Sequence, residues 1–64
     1  MISAREKYLE AKREAAMRRR VYPRWVEAGR MKMHQAELQI LIMYAIAEDY
    51  RAEAEREEQK ERLL

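Results

Sequence analysis

An all-α helical hairpin is the fold this sequence predicts: two long helices joined by a kinked Pro/Gly connector with a short helical turn, paired into a dimeric helical bundle. Three observations predict it. The only proline and the only glycine, Pro23 and Gly29, fall close together in the first half of the chain. Elsewhere Ala, Glu, Arg, Lys, Leu and Met dominate, all strong helix formers. Apolar residues recur at helical spacing, and no Asn-Gly pair or alternating apolar/polar run argues for a strand.

Helix one is expected over residues 3–21. Ser3-Ala4-Arg5-Glu6 matches a capping box, in which Ser3 accepts from the Glu6 amide and the Glu6 carboxylate reaches back to the Ser3 amide. Ala4, Tyr8, Ala11, Ala15 and Tyr22 form a thin apolar stripe, broken by Arg18 and widened by Leu9, Ala16 and Met17. Its small side chains let a second helix approach closely. The residue before a proline is pushed out of the α region, so the helix should end near Val21 or Tyr22.

Residues 22–32 read as the connector. Pro23 suits the first position of a new helical turn. Arg24 to Ala28 complete that turn, and Gly29 provides a left-handed C-terminal cap. Trp25 and Val26 would point inward.

Helix two is expected over residues 33–61. Met33, Ala36, Ile40, Met43, Ala47, Tyr50 and Ala54 alternate by three and four, a heptad seam. Leu38, Leu41, Ala45 and Ala52 form a second apolar line, and Ile42 and Ile46 a third, so the helix is apolar nearly all round between 38 and 47. Such a helix is buried on more than one side. One partner helix of about 18 residues, roughly 27 Å, cannot cover a helix of about 28 residues, roughly 42 Å, in both length and circumference. Pairing of two copies through Leu38, Leu41, Ile42, Tyr44 and Ala45 would cover the remainder. The end, E-R-E-E-Q-K-E-R-L-L, is expected to pair internally, as Glu58 with Arg62, and to fray or project.

The 64 residues make a single domain, 1–64. A chain this short is marginal as a monomer and needs a supplement. With no Cys, neither a disulfide nor a thiolate metal site is available, which leaves oligomerisation and fits a reducing compartment. The longest apolar run, Ile40 to Ala47, is far short of the roughly 20 residues of a membrane span. No signal peptide is evident, so the chain reads as a cytoplasmic protein without a membrane role.

The net charge of +2 conceals a split. Residues 1–32 carry ten Lys or Arg against four acids, and residues 33–64 carry four against eight. This suggests antiparallel pairing of opposite charges, or a basic end offered to an acidic partner. The cluster Arg18, Arg19, Arg20, Arg24, Arg30 and Lys32 is the strongest functional signal, because guanidinium groups bind phosphates and carboxylates bidentately. Tyr22 and Trp25, interleaved with it, suit either stacking on unpaired bases or plugging the end of the hairpin core. Three successive arginines fan over about 200° of a helix, so they cannot all meet one groove. No nucleic-acid fold signature is present.

Catalysis finds no support in the sequence. Ser3, the only Ser or Thr, is used as a cap, His34 stands alone, and a single Gly builds no phosphate loop. The carboxylates Glu48, Asp49 and Glu53 read as solvated neighbours on an open helix. No metal ligand set and no cofactor are expected.

The stretch M-R-R-R-V-Y-P-R-W-V-E-A-G-R-M at 17–31, followed by I-L-I-M-Y-A-I-A-E-D-Y at 40–50, resembles a group of very small proteins encoded in bacteriophages and prophages. Their pattern is M-R-R-R-V-Y-P, a Gly, then I-x-I-M-x-A-I-A-x-D-Y, and the match covers roughly residues 10–50. The resemblance implies a phage context, hence the cytoplasm of a bacterial host, and supplies no mechanism. The chain departs from the pattern at Lys32, where a capping Thr is usual, and at Leu38 and Tyr44, where the pattern is polar. These last two enlarge the apolar belt. The expected function is a non-catalytic accessory protein whose arginine-rich elbow binds an acidic partner, nucleic acid or host protein. The alternative is an assembly subunit, or an inhibitor of a host protein, acting through the belt of helix two.

Overall fold

The computed structural model describes residues 1–63 and contains two helices, α1 (Ala4–Glu27) and α2 (Met33–Arg62), packed against each other as a hairpin. No strand occurs among the described residues. The hairpin is a rod of 53 × 17 × 15 Å.

The start of α1 follows the capping-box expectation. The Ser3 hydroxyl accepts from the Glu6 amide at 3.1 Å, and the Glu6 carboxylate accepts from the Ser3 amide at 3.1 Å. The end of α1 corrects the expectation. The helix does not stop at residue 21 but runs through Pro23 to Glu27, so the connector shrinks to residues 28–32. A proline inside a helix costs about 3 kcal/mol, because it lacks the amide proton and crowds the preceding turn. Two contributions offset it. Tyr22 is 8% exposed, and such burial is worth about 1.5–3 kcal/mol. Trp25 stacks on Tyr22 with ring centroids 5.4 Å apart, adding about 0.5–1.5 kcal/mol. Both require residues 22 and 25 to share one helical face across Pro23.

Gly29, at φ 73°, ends the helix as anticipated. Its amide donates to the Val26 carbonyl at 3.0 Å, and the Arg30 amide donates to the Trp25 carbonyl at 2.8 Å, the paired bonds of a Schellman motif. Lys32 precedes α2 with extended backbone and gives it no side-chain cap.

The core is a seam of small residues. The buried residues are Ala4, Ala11, Ala15, Ala36, Ala47, Ala54 and Tyr22, and among the described residues no Leu, Ile, Met or Val joins them. Alanines facing each other allow close approach of the two backbones but remove little apolar area from water. The consequence is visible at the surface. A compact 7.8 kDa monomer exposes roughly 4,400 Å², whereas this hairpin exposes 5465 Å².

Candidate partner-binding surfaces

The arginine triplet is divided by the phase of α1. Arg18 turns into the seam between the helices: its Nη1 donates to the Gln39 carbonyl of α2 at 3.0 Å, and its guanidinium lies 5.8 Å from the Tyr22 ring centroid. Its Nε lies 4.0 Å from the Glu14 carboxylate and has no hydrogen-bond partner. At 24% side-chain exposure it joins the helices together. Tyr22 is buried beside it as the plug of the closed end, while Trp25 keeps 39% of its surface open.

Arg19, Arg20, Arg24, Arg30 and Lys32 are all exposed and form no ion pair among the described residues. Arg20 and Arg24, four residues apart, share the α1 face turned away from the alanine seam. Arg30 and Lys32 lie in the connector. Residues 18–32 thus carry six cations against the single acid Glu27, concentrating net +5 at the closed end of the rod. Residues 48–62 carry seven acids against four cations, a net of −3 toward the open end.

At this closed end lies a groove of about 460 Å³, lined by Pro23, Val26, Met33, Ala36 and Ile40 together with one cation, Arg24, and two acids, Glu27 and Glu37. A second groove of about 570 Å³ follows one flank of the helix pair, where Ile2, Met43, Ile46 and Tyr50 meet the polar edge of α1. There the Lys7 ammonium stands 5.5 Å from the Tyr50 ring centroid.

The outer face of α2 is apolar and uncovered. At 100° per residue, Leu38, Leu41, Ile42 and Ala45 lie across the helix from Ala36 and Ala47. Leu38 is 48% exposed, Leu41 65% and Ile42 47%, and Ala45 is exposed. Tyr44, grouped with them in the sequence, sits about 100° away from Ala45, toward Met33 and Ile40.

The open end holds contacts that sequence reasoning missed. Arg5 donates from Nε and Nη2 to both Glu58 carboxylate oxygens at 2.9 Å, and the Ala4 amide donates to Glu57 Oε2 at 3.2 Å. The tail of α2 therefore closes the start of α1, and Glu58 pairs with Arg5 and not with Arg62. The charge split between the chain halves was the available signal; the partners themselves lie 53 residues apart. Arg5 holds the Glu58 carboxyl below its usual range, and the Ser3 amide does the same for Glu6. Arg51 donates to Glu48 and to Glu55, which lowers Glu48 and holds Arg51 more firmly protonated. No metal-binding cluster of His, Asp or Glu occurs among the described residues, and no helix is long and apolar enough to cross a membrane.

Compared with protein-family models, curated proteins and solved structures, the chain shows no significant similarity to any of them.

Proposed function

We propose that this hairpin is a non-catalytic accessory protein, of the phage type its sequence resembles, whose basic closed end captures an acidic segment of a host or phage protein. The observation that carries this reading is that Arg19, Arg20, Arg24, Arg30 and Lys32, exposed and without an ion pair among the described residues, cluster in residues 19–32, the same closed end that holds the apolar groove of Pro23, Val26, Met33 and Ile40, which Arg24 itself lines. Carboxylates would engage the guanidinium groups while an apolar side chain fills the groove. The same cations suit phosphates, but the stacking platform expected for unpaired bases is weakened, because Tyr22 is buried and Trp25 is engaged with it. The cytoplasm of the bacterial host is the setting this reading requires.

We further propose that the working form is a homodimer joined through the outer face of α2. The alanine-rich seam, which buries no Leu, Ile, Met or Val among the described residues, and the excess exposed surface support it. An assembly role, in which the same face packs on a larger phage component, is the competing reading.

Fluorescence anisotropy with two probes tests the first proposal: a Glu-rich peptide carrying one Leu, and a short mixed-sequence single-stranded DNA. Peptide binding that persists at high salt and is abolished by Arg20→Glu with Arg24→Glu is the expected result. Five phosphate contacts would give a salt slope of about −3.5, roughly a 100-fold loss from about 50 to about 200 mM. A DNA response of that kind, with no peptide binding, would replace the protein partner by nucleic acid.

A further inference from the structure

We infer that the second copy lies antiparallel on the outer face of α2, about a twofold axis between Leu41 and Ile42; this rests on the dimer proposed above and adds its orientation and register. The apolar residues of the face are spaced symmetrically, with Leu38 and Ala45 outside and Leu41 and Ile42 inside. Turning a second copy end for end about their midpoint sets Leu41 against the partner's Ile42 and Leu38 against the partner's Ala45. The outer pairs match a large side chain with a small one. An interface in which residue i meets j while j meets i is self-complementary, as a twofold dimer requires.

Charge selects the same arrangement. Counting outward from that axis along α2, His34 falls opposite the partner's Asp49. Both are exposed and lie on the same side of α2 as the apolar residues. A parallel dimer in register would instead set Asp49 on Asp49. It would also bring two closed ends of net +5 side by side, whereas the antiparallel dimer lays each acidic tail along the other copy's basic end.

The arrangement has a functional consequence. Arg20 and Arg24 lie on the face of α1 turned away from α2, so they stay open in the dimer. With the axis between Leu41 and Ile42, the start of each α2 lies about 13 Å from it at 1.5 Å per residue, so the two closed ends sit roughly 25 Å apart and the acidic tails project beyond them. One dimer would present two separated sites to an acidic partner.

The chain has no Cys, so introduced thiols report only on designed contacts. His34→Cys and Asp49→Cys proteins, checked for helicity by circular dichroism, are oxidised separately and as a mixture, alongside sedimentation equilibrium of the unmodified protein. The expected result is a dimer in which each variant alone stays unlinked and the mixture forms a disulfide-joined pair. Self-linking of His34→Cys alone would overturn the antiparallel orientation while keeping the dimer. A dimer with no 34-to-49 link would overturn the register. A monomer at all concentrations would overturn the dimer itself.

Discussion

Arg5, in the first turn of α1, grips Glu58, in the penultimate turn of α2, through two hydrogen bonds of 2.9 Å. Beside it the Ala4 amide, an orphan donor of the helix start, is satisfied by Glu57. The open end of the hairpin is thus closed by charge, as the other end is closed by Gly29 and Tyr22. Glu58→Gln should loosen this end without unfolding the pair. Amide hydrogen exchange should quicken at residues 4–8 and 55–62, and stay unchanged around Tyr22.

Acid should weaken the fold. Glu6, Glu48 and Glu58 all titrate below their ordinary value in the folded state, each through a hydrogen bond to its carboxylate. Their stabilisation is therefore present above the unfolded carboxylate range, about pH 4.3, and is lost as pH falls through the lowered folded values. Melting temperature should hold between about pH 7 and about pH 5 and drop below about pH 4. Glu58→Gln should flatten part of that drop.

The alanine seam should not tolerate bulk. Ala15 has 0% of its surface exposed, so Ala15→Leu must push the helices apart. The expected cost is about 1–3 kcal/mol. Ala16→Leu, one residue along and exposed, should change stability by no more than about 0.5 kcal/mol. Equal thermal melts for the two variants would contradict the packing described for α1 and α2.

Pro23 and Gly29 should respond in opposite directions. Pro23→Ala restores a helical amide and should raise stability by about 2 kcal/mol, after the freer unfolded chain is counted. Gly29→Ala should lower it by about 1–2 kcal/mol through backbone strain alone, because φ is 73° and a Cβ there would meet nothing within 4 Å. Thermal unfolding of both variants followed by circular dichroism checks the pair.

Much of this molecule was legible locally. The Ser3 cap, the Gly29 stop and the three-four seam of α2 from Ala36 to Ala54 each depend on residues within a few positions of one another, where helix geometry alone sets the outcome; Met33, expected to head that seam, is 63% exposed because α1 has already ended beside it. Pro23 was misread because the rule about prolines is also local. The burial of Tyr22, which helps carry the helix through Pro23, arises only once α2 is packed alongside. The candidate site was legible as a basic cluster but not in its parts. Which arginine of 18, 19 and 20 enters the seam is set by the rotational phase of α1 against α2, and that phase put Arg18 on the Gln39 carbonyl and left Arg19 and Arg20 outside.

The sequence by itself determined that there would be two helices, where each begins, how α2 ends near residue 62, and that the two halves carry opposite charge. Composition, capping residues and helical periodicity suffice for that, since helices are made of contacts three and four residues apart. The tertiary structure alone decided the rest: that α1 crosses Pro23, that Arg18 and not its neighbours enters the seam, that the larger side chains of the stripes stay only partly covered, and that Arg5 finds Glu58. These depend on which face of each helix meets the other. That choice minimises backbone separation along the small residues and leaves the large ones outside it.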